Sequence, residues 1–438
     1  MKLLIKNLTL YTGNAAQPLL TNQHVAIDGE RIAFILPADS LETDAQVEAF
    51  AAERILLGKN RIGMPGLINT HTHVGMSILR NYGSDLNLQD WLTQKVFPIE
   101  AKMQADDIRW AGLLEMAEMI RSGTTGFIDM YYYPEMTAAN VRDSGMRAKV
   151  CCSLQPNDVN ARPETLDHEG FKAFAQDWDG LEGRLRTMML VHSTFLPPYW
   201  FLQQAGKLAQ EEKYLVHIHL HETKFEVLES VARYHQRPIA LADSLGLLSD
   251  RTVVAHCVHL DDNDRRILAN RGAHVAHCPT SNLKLGSGIP DVRAMLGAGI
   301  HVSIGTDGAS SNNNLNMMEE MHLASLLQKG LHRDPLATPA VQVLEMATRQ
   351  GALAMHMDPL LGLLQAGAPA DMVLLSTDEP HWTPYVDPLA ALAYSAQAAD
   401  VDTVIVAGRI LMENREMLTI DLEQAKWHAE QLSQRLLS

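Results

Sequence analysis

Two histidines, His71 and His73, lie two residues apart at the end of the apolar run MPGLIN. Residues i and i+2 of a β-strand point to the same face, so both imidazoles can close on one ion. The pair therefore suggests a metal site. A purely structural pair has the same spacing, and further ligands at the ends of other strands are needed to decide between the two interpretations.

A second histidine run, LVHIHLHE, places His217, His219 and His221 on one face of a strand and aliphatic residues on the other. In a barrel strand the aliphatic face contacts the helices, and the histidines point inward. Residues on one face are roughly 6.6 Å apart along a strand, so one ion cannot bind all three. Spacing alone leaves open which histidine is a ligand, and whether the three only hydrogen-bond one another.

Other strand-like runs also end in polar residues. These residues are His256 and His259 in TVVAHCVH, His192 in MMLVHS, His277 in HVAHC, and Asp307 in HVSIGTDG. Active sites of parallel barrels lie at the carboxyl ends of the strands. Taken singly, Asp307 is more typical of a helix cap or turn, but the recurrence of polar residues above apolar strands favours a functional site over scattered core histidines.

The residue types define the chemistry. Three neutral imidazoles and one carboxylate suit Zn²⁺ or another borderline divalent ion, and a catalytic site leaves one position for water. Bound water can have its pKa lowered from about 15.7 to about 7, which gives a hydroxide nucleophile at neutral pH. The leaving group needs a proton donor, and Glu222 is the nearest carboxylic acid in the sequence. The set predicts hydrolysis, with a surface carboxylate as the alternative reading of Glu222.

These side chains need a scaffold of strands that end together. Short apolar runs rich in β-branched residues occur near residues 66–70, 126–130, 148–154, 187–192, 214–220, 252–257, 273–277 and 300–306. Helical patterns separate most of them, including ADDIRWAGLLEMAEMIRSG and NLNMMEEMHLASLLQKG. Eight strands alternating with helices predict an α/β fold, a closed (β/α)8 TIM barrel.

The two ends of the chain have a different pattern. HVAIDGERIAFI carries an Asp28-Gly29 hairpin signal, and ADMVLLS and VDTVIVAGRILMENREM are strand-like runs near the C-terminus. An amphipathic helix from about Asp421 to Leu436 follows them. We predict that residues 1–63 and 366–438 pair into a small composite β-sandwich domain and that residues 64–365 form the barrel.

Composition narrows the partners of this 438-residue chain. Its net charge is −16, with 36 Lys and Arg against 52 Asp and Glu. This charge gives no electrostatic footprint for nucleic acid or an anionic membrane, so a small-molecule substrate fits better. The four cysteines do not form a disulfide framework, and neither a signal peptide nor a membrane span is indicated. We expect a cytoplasmic protein with reduced thiols.

Five motifs occur in a characteristic order: PGLINTHTH, HLHET, AHCVHL, PTSNLKLGSGIP and SIGTDGASSNNNLNM. Together they resemble the amidohydrolase superfamily, in its branch of 5'-methylthioadenosine and S-adenosylhomocysteine deaminases and related chlorohydrolases. The resemblance covers essentially the whole chain. It is highly specific for the superfamily and much less specific for the substrate.

The resemblance implies a role for each matching residue. One divalent metal ion, expected to be zinc with iron or manganese as alternatives, would be held by His71, His73, His219 and Asp307. Glu222 would protonate the substrate's ring nitrogen, and His256 would orient the attacking hydroxide. Asp307 would also move the water proton to the departing ammonia. Glu222 and Asp307 would thus contact the substrate as well.

The resemblance also implies substrate-binding residues. Glu100 matches a residue that holds ribose hydroxyls, Trp91 lies in the same loop, and His192 matches a substrate-side histidine. Two departures stand out. No lysine lies at the end of the fourth strand, which favours a single metal ion. No arginine lies near Cys152, where similar enzymes bind the carboxylate of S-adenosylhomocysteine, and Arg162 is the nearest substitute.

We therefore expect a hydrolytic deaminase of an adenine nucleoside, with 5'-methylthioadenosine or adenosine favoured over S-adenosylhomocysteine. Its products would be ammonia and an inosine-type nucleoside. The alternative within the superfamily is hydrolysis of another heterocycle, such as a triazine, a pterin or a guanine-like base. A non-catalytic descendant is disfavoured because every matched ligand position holds a competent residue. Similar proteins are commonly dimers or tetramers, so we expect a homo-oligomer.

Overall fold

The computed structural model describes residues 1–155 and 165–437. The strands of these residues, in chain order, are β1 (Lys2–Tyr11), β2 (Leu19–Asp28), β3 (Arg31–Pro37), β4 (Arg54–Leu57), β5 (Arg61–Pro65), β6 (Leu67–Thr72), β7 (Thr124–Asp129), β8 (Arg147–Ser153), β9 (Leu185–Leu190), β10 (Val216–Leu220), β11 (Thr252–His256), β12 (His274–His277), β13 (His301–Ile304), β14 (Met372–Ser376), β15 (Val401–Val406), β16 (Arg409–Glu413) and β17 (Glu416–Met417).

The α-helices of the same residues are α1 (Leu41–Phe50), α2 (Leu88–Trp91), α3 (Phe97–Glu100), α4 (Ala105–Arg121), α5 (Pro134–Ser144), α6 (His168–Trp178), α7 (Tyr199–Glu211), α8 (Lys224–Tyr234), α9 (Pro238–Ser244), α10 (Asp262–Arg271), α11 (Pro279–Lys284), α12 (Val292–Gly297), α13 (Met317–His332), α14 (Ala340–Glu345), α15 (Gly351–Ala354), α16 (Pro388–Tyr394) and α17 (Leu422–Leu437). None of the described helices is both long and apolar enough to span a membrane.

Strands β6 to β13 form a parallel sheet in sequence order, and all eight strands predicted from the sequence are present. Hydrogen bonds join its two edge strands. The Thr70 hydroxyl donates to the Ile304 carbonyl at 2.9 Å, and the Asp307 N–H donates to the His71 carbonyl at 2.9 Å. The sheet therefore closes into a barrel, and the predicted (β/α)8 fold is confirmed.

Apolar residues on the outer face of the barrel strands pack beneath the helices. Val254, Val275 and Val302 are register partners on β11, β12 and β13, and all three are fully buried. Parallel strands that helices cover have near-continuous apolar sequences, which is why the runs were visible in the sequence. Polar residues interrupt this pattern mainly on the inner face and at the carboxyl ends.

The two terminal segments form one nine-stranded mixed sheet with its own apolar core. Its central contact is the antiparallel pair β5 and β14, in which Met64 lies opposite Val373. Leu3 and Val25 of the N-terminal segment share the core with Leu374 and Ile405 of the C-terminal segment. The predicted pairing of the two ends is thus observed, and the exact domain boundaries stay a prediction.

Helix α17 packs on the barrel helix α4. The Trp110 and His428 rings stack with centroids 3.7 Å apart, and Arg435 Nη2 lies 2.5 Å from Asp107 Oδ1. Leu436 joins the apolar cluster under the loop that follows β6. The last helix of the chain therefore supports the part of the barrel next to the candidate site.

A buried ion pair joins the barrel to the terminal sheet. Arg147 Nε and Nη2 of β8 donate to Asp371 Oδ2 and Oδ1 at 2.8 and 2.9 Å, and both side chains are almost fully buried. Burial opposes the charge of Arg147, but the carboxylate of Asp371 raises its pKa. Bidentate geometry of this kind is the strongest form of such a pair.

We expect Asp371→Asn to lower the free energy of unfolding by about 3–5 kcal/mol, because it leaves the buried Arg147 guanidinium without a carboxylate. The measurement is the urea midpoint of unfolding. Asp358→Asn is the control: it breaks the more exposed pair with Arg31, which is 2.6 Å long, and is expected to cost less than about 1 kcal/mol. Equal effects of the two substitutions would contradict the prediction.

Candidate active site

The four predicted metal ligands converge at the carboxyl ends of three barrel strands. His71 lies in β6 and His73 just after it, His219 lies in β10, and Asp307 follows β13. Asp307 Oδ1 lies 3.3 Å from His71 Nε2 and 3.1 Å from His73 Nε2. The possible ligand atoms of the three histidines all lie within 4.8 Å of one another. The structure therefore brings together all four residues.

Backbone carbonyls fix the ring orientation of two of these histidines. His73 Nδ1 lies 2.6 Å from the Met130 carbonyl, and His219 Nδ1 lies 2.7 Å from the His192 carbonyl. A carbonyl accepts only, so Nδ1 carries the proton in both rings. In the neutral ring, Nε2 then holds a lone pair that points toward the cluster, as metal binding requires.

His71 has a different support. Its Nδ1 lies 2.7 Å from His217 Nε2, in the fully buried interior of the barrel. His71 Nε2 itself has no hydrogen-bond partner of good geometry among the described residues. The open question about the three inward histidines is thus answered by geometry: His219 reaches the cluster directly, and His217 reaches it through His71.

Replacing His217 with Phe is expected to weaken metal binding by about 10–100-fold, the usual cost of losing the hydrogen bond that orients a ligand histidine. Competition with a chromophoric chelator measures the affinity. His301→Phe is the matched control, because His301 begins β13 at the opposite end of the barrel. An unchanged affinity in His217→Phe would show that His71 needs no such support.

Burial and Asp307 set the protonation of the cluster. Burial lowers the pKa of His71 to about 4 and holds that of His219 well below its usual value. Burial would also lower the pKa of His73, but its hydrogen bond to Asp307 and the Asp307 charge raise it to about 9. Burial opposes ionisation of Asp307, yet contacts with both histidines hold its pKa well below the usual range.

This donor set fits a metal ion. Burial favours the neutral imidazoles of His71 and His219, and His73 faces the carboxylate of Asp307. Among the described residues, the buried Nε2 of His71 has no hydrogen-bond partner of good geometry. An imidazole must be unprotonated to bind a metal ion, so metal binding at this site would weaken as the pH falls. Three imidazoles with one carboxylate are typical ligands of zinc.

Glu222 and His256 lie beside the cluster, with Glu222 Oε2 3.8 Å from His256 Nε2. Burial is the main cause that raises the pKa of Glu222, so its protonated form is favoured. His256 Nδ1 donates to Asn282 Oδ1 at 3.0 Å, which leaves Nε2 free to accept. His256 also has a left-handed backbone, with φ of +73°, a strained conformation typical of functional sites.

Some supporting residues were not predicted. The Ser281 hydroxyl donates to Asp307 Oδ2 at 2.6 Å, and Asn282 positions His256 as described above. Both belong to the PTSNLKLGSGIP motif, which was noted without roles for its residues. His221, in contrast, faces away from the site, because its Nε2 accepts the Ile239 N–H at 3.1 Å.

A cavity of about 540 Å³ opens onto the cluster. Three predicted substrate-binding residues line it: Trp91, Glu100 and His192. Glu100 Oε1 accepts the Tyr131 hydroxyl at 2.8 Å, and burial raises the pKa of Glu100. The volume is in the range of small-molecule sites. Arg162 lies outside the described residues.

Comparison with known proteins agrees with the geometry. The sequence profile of the amidohydrolase family matches residues 62–411 of this chain. The chain belongs to the amidohydrolase family. This amidohydrolase is therefore a hydrolase of a metal-dependent family, and the resemblance inferred from the five motifs is confirmed.

Curated relatives match the amidohydrolase over its whole length. The 5-methylthioadenosine/S-adenosylhomocysteine deaminase of Acetivibrio thermocellus is 44% identical over 100% of both chains. The protein of the same name from Thermoanaerobacter pseudethanolicus is 40% identical, again over 100% of both chains. Both names describe deaminases, so the amidohydrolase falls among enzymes that act on C–N bonds.

Solved structures show the same fold. A zinc-bound adenosine deaminase from Xanthomonas campestris superposes with a TM-score of 0.92 and 32% identity, covering 99% of this chain and 98% of that one. The zinc complex of an atrazine chlorohydrolase from Arthrobacter aurescens has a TM-score of 0.88 at 24% identity, covering 98% and 100%. The second comparison supports the fold alone.

Proposed function

We propose that this amidohydrolase is a metal-dependent deaminase of adenine nucleosides. The observation that carries the proposal is one arrangement: Glu222 and His256 lie 3.8 Å apart beside the four-residue cluster, at a cavity that also contains Glu100. The names of full-length relatives at 40–44% identity support the same reaction. Acid, base and nucleoside-binding groups then line a single cavity.

The proposed ligands of one ion are His71, His73, His219 and Asp307. When bound, a divalent ion supplies a water of lowered pKa and a positive charge beside the reacting carbon. Zinc is our proposal for this ion, since the donor set and the zinc-bound adenosine deaminase structure at 32% identity fit it. Elemental analysis of the purified protein, with activity measured after reloading each metal, tests the choice.

The residues of the chain then account for the proton transfers. Glu222, whose pKa burial raises, donates a proton to the ring nitrogen next to the amine-bearing carbon, while water adds to that carbon. His256, whose Nδ1 donates to Asn282 Oδ1, orients the attacking water through a hydrogen bond at its Nε2. Asp307 accepts a proton from the water and passes it to the amine, which leaves as ammonia. The ring keeps the water oxygen as a carbonyl, and the remaining hydroxyl proton returns to the Glu222 carboxylate, which restores the acid.

Glu100 and Trp91 are the proposed contacts for the sugar. Both lie in the stretch after β6 that covers the cavity, and the Tyr131 hydroxyl holds the Glu100 carboxyl in place. A carboxylate with accepting capacity to spare can bind two ribose hydroxyls. A bare heterocycle has no such hydroxyls. We also propose that His192, whose Nδ1 lacks a partner among the described residues, contacts the base.

An ammonia-release screen of the zinc-loaded protein tests the function. The compounds are adenosine, 5'-methylthioadenosine, S-adenosylhomocysteine, guanine, a pterin and a triazine. We expect turnover of at least one adenine nucleoside and none of the bare heterocycles. Turnover of a triazine, pterin or guanine alone would contradict the nucleoside assignment, while leaving the proposed proton transfers in place.

Two further expectations stay predictions. We propose that the protein works in the cytoplasm, since its four cysteines are free, and that it forms a homo-oligomer. Light scattering coupled to size-exclusion chromatography measures the oligomeric state. A mass of one 48.5 kDa chain across the working concentration range would contradict the second expectation.

A further inference from the structure

Helix α11 and the segment that follows β13 both lead into the candidate site. In α11, the Ser281 hydroxyl donates to Asp307 Oδ2 at 2.6 Å, and Asn282 Oδ1 accepts from His256 Nδ1 at 3.0 Å. The segment after β13 contains Asp307 itself. In the proposed reaction, Asp307 and His256 act on the same water molecule. The two segments must therefore keep a fixed position relative to each other.

Glu320 joins these two segments from helix α13. Its Oε2 accepts the Thr280 N–H of α11 at 3.1 Å, and its Oε1 accepts Asn312 Nδ2 at 2.8 Å. The same Asn312 nitrogen donates to the Thr306 carbonyl at 2.8 Å, one residue before Asp307. The Glu320 side chain is completely buried. Each oxygen of one buried carboxylate thus binds a different segment of the site.

The bond from Asn312 acts on the peptide group that precedes Asp307. The carbonyl of this group belongs to Thr306 and accepts from Asn312, and its N–H belongs to Asp307 and donates to the His71 carbonyl at 2.9 Å. Asp307 itself has a left-handed backbone, with φ of +65°. Such a conformation persists only where the surrounding contacts determine it. The orientation of the Asp307 carboxylate therefore depends on a peptide group that is held from both sides.

The environment of Glu320 fits a supporting carboxylate. Among the described residues that line the cavity, Glu320, Thr280 and Asn312 do not occur. Glutamate is rarely buried completely without partners. Burial raises the pKa of Glu320 to about 7, whereas its bonds with Thr280 and Asn312 favour the ionised form. A carboxylate accepts from both donors at once, but an amide in its place would turn an N–H toward one of them.

We propose that Glu320 is a positioning residue that fixes Asp307 and His256 relative to each other. It acts through Asn312 on one side and through α11 on the other. The proposal rests on the deamination proposed above, in which these two groups act on the attacking water. Glu320 lies just beyond the last of the five sequence motifs, so the motifs gave no indication of this role.

The substitution Glu320→Gln tests the role in the reaction. At saturating zinc, we expect kcat for 5'-methylthioadenosine or adenosine, whichever reacts faster, to fall by about 10–100-fold, the usual cost of losing a partner behind a metal site. KM should stay nearly unchanged, because Glu320 does not line the cavity. Glu319→Gln is the matched control, since Glu319 is the exposed neighbour on the same helix. Wild-type kcat in Glu320→Gln would overturn the proposal.

Amide hydrogen exchange of the metal-free protein gives a readout that does not depend on activity. Glu320→Gln should raise exchange in residues 279–284 and 306–312 together, because one carboxylate holds both segments. Asn312→Ala opens one connection only, so exchange should rise in 306–312 and stay low in 279–284. This second variant decides the question even where Glu320→Gln fails to fold. Unchanged exchange in 306–312 of Asn312→Ala, or a rise confined to α13 in Glu320→Gln, would overturn the proposal.

A double-mutant cycle tests whether Glu320 acts through α11. Ser281→Ala removes the bond to Asp307 Oδ2. If Glu320 positions Ser281, the double variant should lose less kcat than the product of the two single losses, because both changes affect one contact. Losses that multiply would overturn the proposal. Failure of every adenine nucleoside to release ammonia would contradict the proposed function, while the exchange measurement would still show whether Glu320 joins the two segments.

Discussion

Replacing Glu222 with Gln is expected to lower kcat for 5'-methylthioadenosine by about 10²–10⁴-fold, the usual contribution of a positioned general acid. Gln has nearly the same shape and can still accept hydrogen bonds, but it has no acidic proton to give. Glu222 donates its own N–H to Glu226 Oε2 at 2.8 Å, a contact that the substitution leaves intact. The loss should therefore fall on the chemical step.

The measurement is the initial rate of ammonia release at saturating substrate, with metal content and thermal midpoint as checks on folding. Glu229→Gln is the control, because Glu229 is an exposed residue of α8, the helix that follows Glu222. A Glu222→Gln enzyme with wild-type kcat would remove the proton-donor assignment.

The pH profile gives the same assignment an independent readout. Burial raises the pKa of Glu222, so the carboxyl group is protonated, and able to donate, at pH values below that raised pKa. We expect kcat to fall as the pH rises through it. The Glu222→Gln variant should lack this alkaline decline, because it has no group there to titrate.

The second large effect concerns Asp307. Asp307→Asn removes the carboxylate that lies within 3.3 Å of both His71 Nε2 and His73 Nε2. We expect metal affinity to fall by more than about 100-fold, beyond the loss of an outer partner. We expect kcat to fall by about 10²–10⁴-fold, since the water proton also loses its acceptor. The fold should persist, because Asn fits the same space.

Metal titration separates the two roles of Asp307. If excess zinc saturates Asp307→Asn and kcat stays low, the carboxylate acts in proton transfer as well as in binding. Full recovery of kcat at saturating zinc would contradict the proton-transfer role. Asp291→Asn is the control, because Asp291 caps α12 away from the cluster and pairs with His332 at 2.9 Å.

Much of the fold was predictable because the barrel strands are buried on both faces. Runs such as TVVAHC and HVSIG are apolar and β-branched, and burial selects such residues whatever the contacts are. The pairing of β5 with β14 was predictable only in general terms, because both ends of the chain have similar strand-like patterns. Their register, with Met64 opposite Val373, depends on contacts across about 300 residues that no local pattern encodes.

The candidate site shows the same division. Residue types at strand ends indicated His71 and Asp307 as members of one cluster, and the family resemblance singled out His219 among the three histidines of its run. The structure brings these residues together. The hydrogen bonds that orient the rings were not predictable. Two of the acceptors are the carbonyls of Met130 and His192, and every residue has a carbonyl. The bond from His71 to His217 requires two strands that are far apart in sequence but adjacent across the barrel interior.

The seam of the barrel has a consequence for biosynthesis. Asn69 at one edge donates to Thr306 at the other at 2.7 Å across 237 residues of sequence, and His71 and Asp307 lie one step further along the same two edges. A nascent chain of which only the first barrel strands have left the ribosome contains only His71 and His73, two of the four proposed ligands. The ion can therefore bind tightly only after the barrel has closed. Once bound, it links the two edge strands and slows the reopening of the barrel. We therefore expect this protein to take up metal only after it has folded completely, so that metal uptake marks the end of folding and does not start it.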